Sequence, residues 1–326
     1  MSLAGHLWTI VPHVLDRWQA VPDGDARPWT VELDDTVTGR VKLSGALAEP
    51  AGARALLVVV HGLGGSAGSA YVSKAARAAQ AAGLATLRLS LRGADGSGED
   101  VYNAALTEDL RTAVASPEVS RYETLFALGF SLGGHLALRY ATEEPDPRLR
   151  AVAAVCAPLD LGACQAAIDR RGLFLYRRYV LARLRRAARA ADARGRLPAK
   201  MRDLRRVRTI REWDLRVVVP RFGFADPEEY YSRSSVAPRL SRLAVPALLV
   251  AAEHDPMVPA ATVRPWASAA PRLDARWVPN GGHLGFPRDL SLGEAGPRGM
   301  EHQVVGWLLR HDGHASILRP LEEPCA

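Results

Sequence analysis

Apolar positions in this chain come as short, strand-sized runs separated by helical patterns, and the alternation is regular over most of the sequence. Trp29–Leu33 and Arg40–Leu47 alternate apolar and polar residues around a turn, which predicts an N-terminal hairpin. Strand-like, mainly apolar segments then occupy 55–60, 84–89, 123–129 and 150–156. Helical patterns follow the first three, near 69–82, 106–115 and 132–143. A run at 245–252, a helix near 261–270, a strand at 274–278 and a last helix about 298–310 resume the rhythm. Strands alternating with helices predict an α/β protein: a mostly parallel, twisted sheet with helices on both faces and its chemistry at the C-terminal strand ends. The stretch 160–240 breaks the rhythm. Within it, Leu173, Tyr176, Val180, Leu184 and Ala187 share one helical face among arginines, so it reads as a helical cap inserted between two core strands. The expected division is a core over 1–159 and 241–314, the cap over 160–240, and a loose tail over 315–326.

The most informative segment is Thr124–Tyr140. An apolar run ends in Gly129-Phe130-Ser131-Leu132-Gly133, and an alanine- and leucine-rich helix pattern follows at once. That is the strand–turn–helix setting of a G-x-S-x-G nucleophile elbow, in which the turn lifts the serine hydroxyl clear of the sheet. A serine hydroxyl is a weak nucleophile and needs a base that an acid holds in place. On such a sheet the order is serine, acid, histidine. Asp255 follows the run 244–252 and is the first choice for the acid, with Glu253 and Asp160 as competitors. His283 lies in Gly281-Gly282-His283-Leu284-Gly285, past the strand-like 274–278, where glycines would let the loop carry the imidazole inward. The other histidines suit the base role less well: His254 adjoins the acid, His135 sits on the helix behind the serine, and His302, His311 and His314 read as surface positions. After the run 55–60 comes His61-Gly62-Leu63-Gly64-Gly65-Ser66, a small-residue loop. The backbone N–H of Leu63, with that of Leu132, would form an oxyanion hole. This loop lacks both the Lys-Ser/Thr of a phosphate-binding loop and the spacing of a dinucleotide fingerprint.

Composition narrows the classes further. The 326 residues are 48% apolar and 24% charged, and no apolar run reaches membrane-spanning length. The N-terminus lacks signal-peptide features, and three sparse cysteines argue against a disulfide framework, so a cytoplasmic setting is expected. No Cys/His cluster has metal-ligand spacing, so no metal is expected. The net charge of +7 is uneven: between Arg170 and Arg216 stand 17 Lys/Arg against 4 acids. Without another nucleic-acid signature this run does not predict nucleic acid binding. A solvated Arg-rich face outweighs weak docking to anionic membrane as its reading. The pattern carries no signature of oligomeric state.

With these residues assembled, the chain resembles the YheT-like branch of the α/β-hydrolase superfamily over roughly residues 5–310. Gly5-His6-Leu7-Trp8-Thr9-Ile10, His61–Ser66, Leu91-Arg92-Gly93, Gly129–Gly134, Phe222-Gly223-Phe224-Ala225-Asp226 with Tyr230-Tyr231, Asp255-Pro256 and Gly281–Phe286 match in order. The resemblance implies Ser131 as nucleophile, Asp255 as acid and His283 as base, acting on a small-molecule carboxylic ester without a cofactor. Thioester hydrolysis or acyl transfer would use the same groups, and the rival class is a non-catalytic ligand- or membrane-binding protein on this scaffold. The sequence departs from the family pattern at Tyr102-Asn103-Ala104-Ala105, where a Tyr-His-x-Gly stretch is usual. It departs again at His135, commonly Asn, and at His254 and Met257 around Asp255-Pro256; these positions bear on substrate preference.

Overall fold

The computed structural model describes residues 3–15 and 25–312; His314 and the expected tail over 315–326, with Cys325, lie outside them. The chain opens on a helix that the periodicity did not predict, α1 (Leu3–Leu15). The hairpin follows as β1 (Arg27–Asp35) and β2 (Gly39–Ala48), and then the alternation: β3 (Ala55–Val60), α2 (Ala70–Ala81), β4 (Ala85–Ser90), α3 (Thr107–Ala115), a short α4 (Pro117–Ser120), β5 (Thr124–Phe130), α5 (Leu132–Tyr140) and β6 (Leu149–Val155). Six helices then intervene: α6 (Leu161–Ile168), α7 (Phe174–Ala193), α8 (Met201–Leu204), α9 (Ile210–Trp213), α10 (Val219–Phe222) and α11 (Pro227–Ser234). The chain returns to the sheet through β7 (Ala247–Ala252), α12 (Ala260–Ala267), β8 (Leu273–Val278) and α13 (Met300–Leu309).

The eight strands form one sheet in the order β1-β2-β4-β3-β5-β6-β7-β8. β1 and β2 pair antiparallel, as do β2 and β4, and every pair from β4–β3 onward is parallel. Strands β3, β4, β5 and β7 are buried along their whole length, and β3, β5 and β7 accordingly read as nearly continuous apolar runs, whereas β4 alternates and buries Thr86, Arg88 and Ser90. Their side chains still alternate by face. Leu56, Val58 and Val60 enter one core with α3, α5 and the helices between β6 and β7. Leu57, Val59, Phe126, Leu128 and Phe130 enter the other, under α2 and α13. Burying each such side chain stabilises the fold by ~1.5–3 kcal/mol.

Between β6 and β7 the arginines serve local structure. Arg185 donates to the carbonyls of Leu204 and Val207, Arg177 to that of Arg208, and Arg196 to those of Thr38 and Arg40. Arg194 pairs with Glu99 and Arg221 with Asp100. Part of the basic excess therefore holds these helices to one another and to the loops of the sheet. Helix α7 buries Val180, Leu181, Leu184, Ala188 and Ala191, turned slightly from the expected face, and leaves Tyr176 and Ala187 half-buried. The turn lets Arg183 reach across and donate from Nε to the Gly64 carbonyl. No helix among the described residues is long and apolar enough to cross a membrane.

Candidate active site

β5 runs straight into α5 with one residue between them, and that residue is Ser131. Its φ of 50° and ψ of −117° are sterically costly for a side chain with a Cβ, and such strain persists only where the surroundings over-determine it. The surroundings do so here. The Ser131 N–H donates to Val155 O at 2.8 Å, extending the β5–β6 pairing by one step. A Cβ on Gly129 would stand 2.1 Å from Gly133 O, and one on Gly133 would stand 2.4 Å from His61 O, so the turn closes only around glycine.

The structure brings three side chains from distant parts of the chain together. The Ser131 hydroxyl lies 3.1 Å from His283 Nε2, and His283 Nδ1 lies 2.8 Å from Asp255 Oδ2. With the proton on Nδ1, the ring donates to Asp255 and accepts from Ser131. Asp255 Oδ1 is engaged as well, accepting from the N–H groups of Met257 and Val258 at 2.8 and 2.9 Å. The tight turn after β7 thus fixes the carboxylate, which is 5% exposed. The two competing acids are committed elsewhere. Asp160 caps α6 by accepting from Ala163 N–H, and Glu253 pairs with Arg264 at 2.7 Å.

The glycines around His283 have a different use from the expected one. None of Gly281, Gly282 and Gly285 has a positive φ; Leu284, at φ 64°, takes the left-handed position instead. What the glycines allow is close approach of α1. A Cβ on Gly282 would lie 2.4 Å from Gly5 O, one on Gly285 1.9 Å from Trp8 O, and one on Gly5 1.9 Å from His254 O. Pro12 contributes from within α1, because it lacks the N–H that would otherwise take up the Trp8 carbonyl. Thr9 completes the seat: its hydroxyl donates to Gly5 O at 2.7 Å and accepts from the His283 N–H at 2.8 Å. The sequence assigns Thr9 no role of its own; its trace there is its place in the Gly5–Ile10 stretch that matches the family.

The loop after β3 is held from below by His61. Leu91 N–H donates to its Nε2 at 3.1 Å, and its Nδ1 donates to Gly62 O at 2.7 Å. Burial depresses this imidazole to about 4, so it stays neutral and structural. Tyr71 accepts from Gly62 N–H at 3.0 Å, Tyr102 accepts from Gly64 N–H at 2.6 Å, and Gly65 N–H donates to Gly62 O at 2.9 Å. Among the described residues the Leu63 N–H, flanked by these bonded groups, has no partner. Leu132 opens α5, so its N–H has no carbonyl one turn back in the helix. Both residues border the same cavity as Ser131 and His283. The positioning tyrosines lie outside the glycine loop and were not anticipated.

That cavity, about 870 Å³, has a mainly aliphatic wall from Leu161, Ile168, Val180, Leu184, Ile210 and Val218. Cys156, at the end of β6, brings its sulfur within 4.8 Å of the Asp255 and His283 donor atoms. Burial raises this thiol well above its ordinary value, and the other two groups are already bonded to each other, so the trio does not have the character of a metal site. Two of the remaining histidines correct the surface expectation. His302 and His311 are half-buried, the latter packed on Trp307 at a ring separation of 4.4 Å, because α13 lies against the sheet. His135 is buried within hydrogen-bond reach of Pro158 O and Ser234 O.

Comparison with known proteins agrees with this architecture. The family model described as "alpha/beta hydrolase fold" matches residues 55–289. The Escherichia coli protein YheT is 32% identical over 238 residues, covering 71% of this chain and 70% of that one. The monoacylglycerol lipase of Saccharomyces cerevisiae is 25% identical over 253 residues, 73% of this chain, and the match spans only 56% of the yeast protein. Among solved structures, the Pyrococcus furiosus esterase Pf2001 superposes with a TM-score of 0.52 at 17% identity, over 79% of this chain and 85% of that one, a likeness of fold. The chain belongs to the α/β-hydrolase family, on its YheT-like branch.

Proposed function

We propose that this protein is a serine hydrolase that cleaves carboxylic esters through an acyl-enzyme on Ser131. The observation that carries the reading is the unbroken line from Ser131 Oγ through His283 to Asp255, with gaps of 3.1 and 2.8 Å. In the first half-reaction Ser131 Oγ attacks the ester carbonyl carbon and His283 Nε2 takes its proton. Asp255 keeps the other ring proton on Nδ1 and stabilises the imidazolium. The oxyanion is received by the N–H groups of Leu63 and Leu132, each worth ~10²–10³ in turnover at sites of this kind. His283 then protonates the departing alcohol. A water, deprotonated by the same ring, attacks the acyl carbon and releases the acid. The aliphatic wall of the cavity suits an acyl chain, and the yeast relative's name as a monoacylglycerol lipase points to the same substrate class. Ser131→Ala is expected to lower kcat on p-nitrophenyl esters by ~10⁴–10⁶ and to abolish labelling by a fluorophosphonate. Near-normal hydrolysis by that variant would refute the mechanism.

A second reading, contact of the enzyme with an anionic lipid surface, is favoured by α1. Its inner face seats the His283 loop, while Leu3, Leu7, Ile10, Val11 and Leu15 stand 46–75% exposed at helical spacing. His6 stacks on Tyr176 of α7, so this stripe adjoins exposed Phe174 and Leu175 on the basic segment. An apolar stripe beside basic residues is the composition of an interfacial helix. Co-sedimentation with phosphatidylglycerol-containing vesicles should rise with anionic content and fall with salt and with Leu7→Ser. Binding indifferent to all three would remove this reading.

A further inference from the structure

The proposed chemistry leaves one buried carboxyl of the same cavity unused. Asp214 is 7% exposed and borders the cavity between Trp213 and Val218. Its Oδ2 accepts from the Tyr231 hydroxyl at 2.7 Å, while Oδ1 has no partner among the described residues. No Lys, Arg or His pairs with it there. Three hydroxyls of the wall, those of Tyr71, Tyr102 and Tyr230, each accept a backbone N–H, the last from Ala104 at 2.9 Å.

The backbone at this point is also unusual. The helix from Ile210 to Phe222 changes to π geometry over Asp214–Val218 and back again. Such a turn is rare and tends to occur at functional sites. The free oxygen opens onto the cavity, where a polar group of a ligand can complete its pairing. Desolvation pushes this carboxyl up to about 7, with the charge of Asp169 adding and the Tyr231 bond opposing. At neutral pH its free oxygen therefore alternates between accepting and donating. A hydrocarbon chain complements neither form and an ammonium only the ionised one, whereas an aliphatic hydroxyl complements both.

We infer that Asp214, oriented by Tyr231, is a substrate subsite that takes a free hydroxyl, so that the enzyme selects hydroxyl-bearing esters over hydrocarbon esters of the same length. The inference rests on the ester-hydrolase reading and adds a substrate class to it. The bland alternative is that the Tyr231–Asp214 bond only ties α11 to the π turn.

The test compares kcat/KM within two matched pairs. Monodecanoylglycerol against ethyl decanoate places the hydroxyl on the alcohol side, and methyl ω-hydroxydecanoate against methyl decanoate places it on the acyl side. The wild-type protein is expected to favour the hydroxyl ester at least tenfold in one pair, and that pair identifies the side. Asp214→Leu should reduce this ratio by about tenfold to a hundredfold, the usual effect of removing a buried hydrogen-bonding partner from a specificity site. Asp214→Asn, which still accepts and donates, should reduce it less, and it reads the same ratio if the leucine variant does not fold. A tie-bar role would lower both esters together and leave the ratio unmoved, which overturns the inference. Wild-type ratios near one in both pairs overturn it without any variant, while leaving ester hydrolysis standing. Failure of the wild-type protein to turn over any of the four esters overturns both.

Discussion

Asp255 and Asp214 are buried to nearly the same extent, yet one sits in a turn just past a sheet strand and the other in a π turn of the inserted helices. The strand-end site gives its carboxylate three donors: two backbone N–H groups on Oδ1 and the His283 ring on Oδ2. The helical site gives one donor, Tyr231, and leaves an oxygen open to the cavity. A parallel sheet ends in rigid turns whose N–H groups converge on whatever follows the strand, so charge can be held there cheaply. Helices between two strands satisfy their own backbone and have few N–H groups to lend. The first kind of site is complete without a ligand, and the second is completed by one.

The sharpest break of this comparison is at Asp255. Asp255→Asn keeps the shape but loses the carboxylate that holds the proton on Nδ1, so kcat should fall by ~10⁴ with little change in KM. Steady-state kinetics on a p-nitrophenyl ester check it; a loss below tenfold would mean that the acid is supplied from elsewhere.

At Asp214 the corresponding change should act on stability and in the opposite sense. A carboxyl raised from 3.8 to about 7 keeps its proton longer in the folded protein than in the unfolded chain. The folded state therefore loses stability as pH rises from about 4 to about 7, by up to ~4 kcal/mol for a shift of this size. Asp214→Asn removes the titration. Its melting temperature relative to wild type should climb between pH 4 and pH 8, read by thermal denaturation at each pH. A constant difference would show that Asp214 is already charge-compensated, and the contrast with Asp255 would collapse.

The same contrast explains what could be read from the chain in advance. Strands buried on both faces are mostly apolar, so β3, β5, β6 and β7 were visible as runs, and the elbow was visible because only glycine fits around Ser131. The grouping of Ser131, His283 and Asp255 was expected because strand-end turns carry such side chains in a fixed order. Asp214 was not, since an aspartate within an arginine-rich helix reads as a solvated face. The π turn also rotates that face by ~100°, the angle of one extra residue, so the expected periodicity does not carry through it. Helix α1 was hidden for a related reason. Its apolar stripe, Leu3, Leu7, Ile10 and Val11, points outward, while the face against the protein is Gly5, Thr9 and backbone. Hydrophobic periodicity reports side chains that bury, and this helix buries mostly main chain.

Thr9 is where α1 touches the chemistry, and it predicts the smallest effect. Its hydroxyl is the sole described acceptor for the His283 N–H. Thr9→Val preserves the shape of the helix and leaves that N–H unpaired, a cost of ~1–3 kcal/mol that the loop can relieve by shifting. A shift of the imidazole away from Ser131 lowers kcat rather than KM, because acyl-chain contacts lie on the aliphatic wall. A threefold to tenfold fall in kcat with KM unchanged is expected, by the order of magnitude of one misaligned contact. Thr9→Ser restores the hydroxyl and should return most of the rate. If the serine variant were as slow as the valine, the methyl group's packing and not the hydrogen bond would be positioning His283, and α1 would act on the site as a wedge rather than as a partner.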